Sequence, residues 1–363
     1  MIDFKMEFPV LGGYTYLNTA SCGLISRSLV AWRHEHDRNL LNQGSLFRDL
    51  HKPHIESIRA RAARFFSASE NEVSLVPNFS FGFNTLVGGL PSDLKILLLN
   101  SDYPSITWAV ENRNFDLCYA DIDENLEGNI ETAILEHKPD AIAFSLVQYI
   151  SGIKIDLDFI KRLKAYHPNL LIIADGTQFL GTSDFKFSES GIDVLIASCY
   201  KWLLAGYGNA VLMVKEGIQK QISPKVIGFN SSDAVYNGRE DITFVKMFEP
   251  GHQDTLNYGS LQRSLEMLEQ IGMKVVEEKI MLIASAAKKR FEELDLLSDA
   301  VVKREQHSSI FNIRGKRGLF QKLKENNIIC SQRGKGIRVS FHFYNTLEDL
   351  DRLIEVIAAH EEI

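Results

Sequence analysis

Short apolar runs alternate with longer amphipathic stretches between about residues 72 and 215. The runs are VSLV at 73–76, KILLLN at 95–100, AIAFSLV at 141–147, LLIIAD at 170–175, VLIASC at 194–199 and AVLMV at 210–214. Continuous apolar runs separated by helical segments are typical of strands that are covered on both faces. The pattern therefore predicts a large α/β domain built on a mostly parallel sheet.

The pattern changes after Gly251. Over residues 261–294, apolar residues recur every three or four positions among charges, which predicts long amphipathic helices. Short strand-like segments follow within residues 308–342, and TLEDLDRLIEVIAAH predicts a final helix capped by Asn345 or Thr346. The expected organisation is an N-terminal segment, a large domain, and linking helices with a small α+β domain, with the boundaries 1–20, 21–260 and 261–363.

Composition and charge narrow the class of protein. The chain has 363 residues, of which 45% are hydrophobic and 24% are charged, as in globular proteins. A net charge of −7 argues against nucleic acid as a partner, because such binding requires clustered Lys and Arg. No apolar run reaches the roughly 18 residues of a spanning helix, and the N-terminus lacks an export signal, so we expect no membrane association and a cytoplasmic location.

The cysteines indicate neither a metal site nor a disulfide framework. They lie far apart with no C-x-x-C pair, at Cys22, Cys118, Cys199 and Cys330. This spacing fits a reducing compartment, and we expect no bound metal.

Two polar positions at predicted strand ends carry candidate chemistry, because ligands of open parallel sheets bind at the carboxyl ends of the strands. Asp175 ends the run 170–175, either as a turn residue or as the anion that pairs with a cationic ring nitrogen of a cofactor. Lys201 follows the next run beside Trp202, either as a surface lysine or as a desolvated amine that forms a Schiff base with an aldehyde. Their occurrence together favours a cofactor site.

The segments ADGTQ and SCYKW resemble the class V branch of fold-type I pyridoxal-5′-phosphate (PLP) enzymes, and the resemblance extends from about Tyr16 to Leu353. It implies a PLP-dependent transferase-like fold of the aspartate aminotransferase type. It also implies that Lys201 is the Schiff-base lysine, that Asp175 pairs with the pyridine nitrogen, and that Gln178 donates to the ring hydroxyl oxygen.

Further cofactor contacts follow from the same resemblance. Phe79 and Ser80 open a helix where the family binds the phosphate, Phe79 through its N–H and Ser80 through its hydroxyl. Ser198 is similar to the second phosphate hydroxyl, and Tyr200 stands where desulfurases carry His. Tyr103 is similar to the residue that stacks on the PLP ring, although a core tyrosine is the alternative.

The substrate side is implied by GIRVSFHF and SLVQYISG. Arg338 resembles the arginine that binds the substrate α-carboxylate, and His342 on the same strand face either lines the pocket or packs. Tyr149 stands where desulfurases tend to have Asn. In FEPGHQDTL, His252 replaces the threonine that contacts the partner subunit's cofactor phosphate, which implies a homodimer.

The expected activity is transamination of a small amino acid to its keto acid. Epimerisation and β- or γ-cleavage are open to the same cofactor, so a cysteine desulfurase, a selenocysteine lyase or another carbon–sulfur β-lyase is the alternative. Cys330 precedes Arg338 by only eight residues and ends an apolar run, so the flexible cysteine loop of a desulfurase is missing. The retention of Lys201, Asp175, Gln178 and Arg338 argues against a non-catalytic PLP-fold protein.

Overall fold

The computed structural model describes residues 4–361. Its strands are β1 Thr15–Tyr16, β2 Val73–Val76, β3 Lys95–Leu99, β4 Asp116–Ala120, β5 Ala141–Ser145, β6 Leu171–Asp175, β7 Val194–Ser198, β8 Ala210–Val214, β9 Ile310–Ile313, β10 Ile328–Ile329, β11 Ser331–Arg333 and β12 Gly336–Ser340. Its α-helices are α1 Phe4–Glu7, α2 Arg27–Gln43, α3 Ser45–Arg48, α4 His51–Phe66, α5 Phe79–Val87, α6 Pro104–Glu111, α7 Leu126–His137, α8 Leu157–Tyr166, α9 Thr255–Ile271, α10 Met273–Glu293, α11 Asp299–Lys303, α12 Leu319–Glu325 and α13 Leu347–Glu361.

A seven-stranded sheet forms the centre of the fold, in the order β2-β8-β7-β6-β5-β3-β4. Only β8 runs against the others, since it pairs antiparallel with both β2 and β7. All six predicted strands are present, and the predicted mostly parallel sheet is confirmed. The strand that the sequence pattern missed, β4, lies at the edge and is partly exposed, so it lacks a continuous apolar run.

Helices cover both faces of this sheet. Alternate residues of β3 enter different hydrophobic clusters: Leu97 and Leu99 pack in the larger one, and Ile96 and Leu98 in the other. Successive side chains of a strand point to opposite faces, so a strand buried on both sides needs apolar residues throughout. This explains the continuous apolar runs.

A three-stranded antiparallel sheet in the order β11-β12-β9 follows the long helices α9 and α10, which the periodic pattern predicted. Of the two possible caps of α13, Thr346 is the one observed: its Oγ1 accepts from the Asp349 N–H, and an Asp349 carboxylate oxygen accepts from the Thr346 N–H. The predicted domain boundary at residue 260 falls inside α9, and the division into domains stays a prediction.

The N-terminal segment connects distant parts of the chain. β1 pairs in parallel with β10, and the Ala20 N–H donates to the Ser340 hydroxyl. The Gly23 N–H donates to the Tyr200 carbonyl, and a Cβ atom at Gly23 would lie 1.9 Å from the Lys201 carbonyl oxygen. Glycine is therefore required for this close approach to the loop that carries Lys201.

Within residues 4–361, no helix combines the length and apolar character that crossing a bilayer requires. The same residues contain no cluster of acidic, histidine or cysteine side chains suited to a metal ion.

Candidate active site

A pocket lies where the carboxyl ends of five strands meet. Residues after β2, β3, β5, β6 and β7 form its wall, which is the position expected for a ligand of an open α/β sheet. Nine of the predicted site residues line it, namely Phe79, Ser80, Tyr103, Tyr149, Asp175, Gln178, Ser198, Tyr200 and Lys201.

Lys201 is buried in this pocket, with 7% of its surface exposed. Its Nζ lies 5.6 Å from the ring centroid of Tyr200 and 5.9 Å from that of Tyr103, and no carboxylate among the described residues lies within ion-pair distance. Burial lowers the pKa of Lys201, and the positive charge of Arg338 lowers it further, while Asp175 opposes both. The amine is therefore more easily deprotonated than an exposed lysine, as a nucleophile requires.

Asp175 ends β6 and is also buried. One of its carboxylate oxygens accepts from the Thr177 N–H at 2.7 Å, which fixes the carboxylate. Burial raises the pKa of Asp175, while the hydrogen bonds from Thr177 and the charge of Lys201 act in the opposite direction. In the part of the chain that the structure describes, this carboxylate has no cation within ion-pair distance, so a cationic ring nitrogen would supply the missing partner.

Two partners fix the side-chain amide of Gln178. Its Oε1 accepts from the indole N–H of Trp202 at 2.8 Å, and its Nε2 donates to the Ala20 carbonyl at 3.0 Å. Both partners are buried. Nε2 retains a second hydrogen, so it remains able to donate to an oxygen in the pocket.

The N-terminus of α5 closes one end of the pocket. Asn78 is the N-cap, because its side-chain oxygen accepts from the Phe81 N–H at 2.9 Å. The Phe79 N–H donates to the Ser198 hydroxyl at 2.8 Å, so two of the predicted phosphate residues already touch each other. The positive end of the helix dipole and the Ser80 and Ser198 hydroxyls together suit an anion.

Three tyrosines border the pocket. The rings of Tyr103 and Tyr149 meet edge to face with centroids 5.2 Å apart, and Tyr200 stacks on Tyr207 at 4.5 Å. The backbone N–H of Tyr103 donates to the buried carboxylate of Asp102, which also accepts from the Ser145 N–H. Asp102 therefore holds the Tyr103 loop against the strand that leads to Tyr149.

Arg338 lies beside the pocket on β12, with 3% of its surface exposed. Its Nη1 donates to the Tyr149 carbonyl at 2.7 Å, whereas its buried Nε has no hydrogen-bond partner. Burial and the nearby Arg333 lower the pKa of Arg338 to about 10, so the guanidinium remains charged at neutral pH. No carboxylate of residues 4–361 pairs with it, which leaves a buried cation suited to a carboxylate ligand.

His342 and His252 lie away from the pocket wall. His342 is fully buried, its Nε2 bonds the Trp202 carbonyl at 3.0 Å, and its ring packs edge to face against that of Trp202. Burial lowers the pKa of His342 to about 3. His252 is exposed, with its ring centroid 5.9 Å from that of His51.

Cys330, at the end of its apolar run, is buried, and burial raises the pKa of its thiol to about 12. The thiol is therefore protonated at neutral pH and poorly nucleophilic.

Sequence reasoning missed several residues of the site. Asn78, Ser145, Val147 and Thr177 also line the pocket, and the Thr177 hydroxyl accepts from the Ser198 N–H. Thr177 was open to prediction, because it lies between Asp175 and Gln178 at the same strand end. Trp202 and Ala20 hold the side-chain amide of Gln178, and no local sequence pattern indicates these contacts.

Comparison with known proteins identifies relatives along nearly the whole chain. The model of the family "Aminotransferase class-V" matches residues 34–353. The uncharacterized aminotransferase YcbU of Bacillus subtilis is 23% identical over 366 residues, which cover 98% of this chain and 97% of that protein. A probable cysteine desulfurase of Ureaplasma parvum is 22% identical over 397 residues, which cover 100% of this chain and 98% of the relative.

Among solved structures, the cystine C-S lyase C-DES in complex with its product cysteine persulfide superposes with a TM-score of 0.86 at 18% identity, over 96% of this chain and 99% of that chain. A C-DES mutant with glycine covalently linked to the PLP cofactor superposes with a TM-score of 0.88 at 18% identity, over 98% and 99% of the two chains. These likenesses establish the fold, and the family match covers most of the sequence. The chain therefore belongs to the aminotransferase class-V family and is an enzyme of PLP fold type I with pyridoxal 5′-phosphate as its cofactor.

Proposed function

We propose that this enzyme holds PLP through Lys201 and transfers the amino group of a small α-amino acid, releasing the keto acid. Arg338 carries the proposal: it is a buried guanidinium beside the Lys201 pocket with no carboxylate partner among residues 4–361. A buried charge without a counterion is costly, and the α-carboxylate of an amino acid supplies that counterion.

The pocket fits the ring and the aldehyde of PLP. Asp175 offers an unpaired buried carboxylate to the ring nitrogen, and Lys201 offers an amine to the aldehyde. Gln178 retains a donor for the ring hydroxyl oxygen, and Tyr103 offers an aromatic face. The phosphate end fits as well, because the N-terminus of α5 combines with the Ser80 and Ser198 hydroxyls and with Tyr200.

PLP, when bound, supplies an electron sink for the negative charge that develops at the substrate Cα. The protein's own residues provide the rest. Arg338 would fix the substrate carboxylate and hence the direction of the Cα–H bond, and the Nζ atom of Lys201 would take the Cα proton. Because burial lowers the pKa of Lys201, this base works closer to neutral pH than an exposed lysine would.

A carbon–sulfur β-lyase is the second candidate function. The burial of Cys330 favours a lyase that releases its sulfur product over a desulfurase that stores sulfur on a cysteine. A desulfurase that stores sulfur on Cys330 is disfavoured, because that thiol is buried with a raised pKa. A lyase that releases its sulfur product needs no such thiol. With cystine as substrate, such a lyase consumes one water and gives pyruvate, ammonia and cysteine persulfide. Cysteine persulfide is the reaction product of C-DES.

The two reactions differ in stoichiometry, and a half-reaction screen without an amino acceptor separates them. We would incubate the holoenzyme with alanine, other small amino acids, cysteine and cystine, and measure keto acid, ammonia, sulfide and alanine. Transamination predicts one keto acid per active site and no ammonia. Repeated turnover that releases ammonia would establish the lyase instead. Loss of activity in Cys330→Ser would support a desulfurase that stores sulfur on Cys330.

We further propose a homodimer in which His252 contacts the partner subunit's cofactor phosphate. Two neighbouring segments expose large apolar side chains, which are Leu40, Leu41, Leu46 and Leu50 in the first and Val226, Ile227, Phe229, Val235 and Tyr236 in the second. An ion pair between Lys52 and Asp233, with 3.0 Å between nitrogen and oxygen, joins the segments, and His252 lies beside His51 at the same surface. Exposed apolar patches of this kind mark association surfaces.

We also propose that the enzyme works in the cytoplasm on small amino acids and keto acids. The four free cysteines support a reducing compartment.

A further inference from the structure

A second cavity of about 340 Å³ lies behind the wall of the active site. Val147 and Gln178 contribute to both pockets, and Trp202 lines only the second. The remaining walls come from the turn after β6, from α10, and from residues 305–309, which lead into β9. This cavity is separate from the surface that faces Lys201.

Lys154 supplies to this cavity a cation that has no hydrogen-bond or ion-pair partner among the described residues. Its side chain is partly buried, with Nζ 5.4 Å from the ring centroid of Phe179. No described residue accepts a hydrogen bond from Nζ or lies within ion-pair distance of it, and burial lowers its pKa. Glu277, the acid whose charge opposes this shift most strongly, also lines the cavity and already accepts from the Asp184 N–H.

Two hydroxyl groups that line the same cavity also lack hydrogen-bond partners among the described residues. The Oγ atoms of Ser183 and Ser309 are buried and make no hydrogen bond to any described residue. Ser309 is only 2% exposed. Buried polar groups are normally paired, so two unpaired hydroxyls in one cavity with an ammonium that lacks a counterion call for an explanation.

The other basic groups of the cavity are already engaged. The Lys288 ammonium donates to the Arg304 carbonyl and pairs with Glu292, and both ring nitrogens of His307 face backbone carbonyls. Lys154 is therefore the free cation of this cavity within residues 4–361.

We propose that this cavity is a second binding site for a small carboxylate, held by the Lys154 ammonium and the hydroxyls of Ser183 and Ser309. A carboxylate accepts several hydrogen bonds and donates none, which matches the three donors that line this cavity. The site is distinct from the Arg338 pocket, and its existence does not depend on the reaction catalysed. A ligand in the second cavity would lie against Gln178 and Trp202, which line it.

Trifluoroacetate, followed by ¹⁹F NMR with the holoenzyme, is a suitable probe because it carries only the carboxylate function. Arg338→Gln removes the guanidinium from the active site and keeps a donor for the Tyr149 carbonyl. We expect this variant to keep one binding site for trifluoroacetate. Adding Lys154→Met should weaken binding about tenfold or more, as loss of a charged hydrogen bond does, whereas adding Lys161→Met at an exposed pair should not.

Ser309→Ala gives an independent test in the wild-type background. The hydroxyl has no partner to lose, so the melting temperature should not fall, whereas the affinity of the second site should. Unchanged affinity after both Lys154→Met and Ser309→Ala would overturn the proposal, as would the absence of binding to Arg338→Gln.

Discussion

Lys201, Asp175 and Arg338 are each buried beside one pocket, and no pair of them lies within ion-pair distance. Desolvation penalises all three charges, which raises the pKa of the acid and lowers the pKa of the two bases. Bound groups of opposite charge reduce this desolvation cost. The site is therefore less stable in the free protein than with cofactor and substrate bound.

Lys201 should be the lysine that PLP modifies. Borohydride reduction of the holoenzyme followed by peptide mass spectrometry should find the label on Lys201, and Lys201→Ala should lower turnover by about 10²–10⁴-fold, as loss of a general base does. Lys154 is the matched control, since burial also lowers its pKa. A label on Lys154 would contradict the assignment.

Asp175→Asn should separate cofactor binding from catalysis. The amide can still accept from the Thr177 N–H, so PLP should remain bound, but a neutral partner stabilises a cationic ring nitrogen poorly. We expect turnover to fall by about 10²–10³-fold at similar cofactor occupancy, measured as kcat against PLP content. Wild-type turnover would make Asp175 a turn residue only.

His342 should make the protein acid-sensitive. Burial lowers its pKa from 6.5 to about 3, so between these values the unfolded chain binds a proton that the folded protein does not. Stability therefore falls as the pH drops below 6.5, by about 2 kcal/mol at pH 5. His307, whose pKa burial lowers to about 4, adds an effect of the same sign.

Urea unfolding at pH 5 and pH 7 measures this effect. The difference in unfolding free energy between the two pH values should shrink by about 2 kcal/mol in His342→Gln, whose amide can still donate to the Trp202 carbonyl. An equal difference in wild type and variant would show that His342 is not the titrating group.

At the level of elements, the N-terminal segment packs so closely on the Lys201 loop at Gly23 that no larger side chain fits there. Gly23→Ala would place a Cβ atom 1.9 Å from a backbone oxygen, so the loop must move. We expect a lower melting temperature and incomplete covalent attachment of PLP. Gly12→Ala is the control, because nothing lies within 4 Å of its Cβ position. Equal behaviour of the two variants would contradict this interpretation.

Sequence alone predicted the strands that are buried along their whole length. Strands such as β6 are apolar throughout because helices cover both faces, and residues such as Asp175 become visible where the apolar run stops. Edge strand β4 is mixed in polarity and the short β11 consists only of polar residues, so neither shows an apolar pattern.

Contacts between segments that are far apart in sequence could not be predicted, for a different reason. The Gln178 amide is fixed by Ala20, 158 residues away in sequence, and the His342 ring is oriented by the Trp202 carbonyl, 140 residues away. Period and spacing indicate which face of a strand a residue occupies, but they carry no information about which segment packs against that face.

For the whole molecule we predict a dimer whose formation completes the cofactor site. Light scattering should give twice the chain mass of 41.1 kDa. His252→Ala should weaken PLP retention about tenfold, as loss of one hydrogen bond to a charged group does, while His137→Ala on exposed α7 should not. A monomer that retains full PLP occupancy would exclude this arrangement.

The pairing of β1 with β10 also has a consequence during synthesis on the ribosome. The Asn18–Ser331 hydrogen bond beside this pair joins residues 313 positions apart, so at ordinary elongation rates the first strand waits roughly 16–60 s for its partner to be made. All strands that supply the cofactor side of the pocket are translated in that interval, whereas Arg338 emerges at its end. A nascent chain can therefore assemble the cofactor half of its active site before the half that recognises the substrate exists.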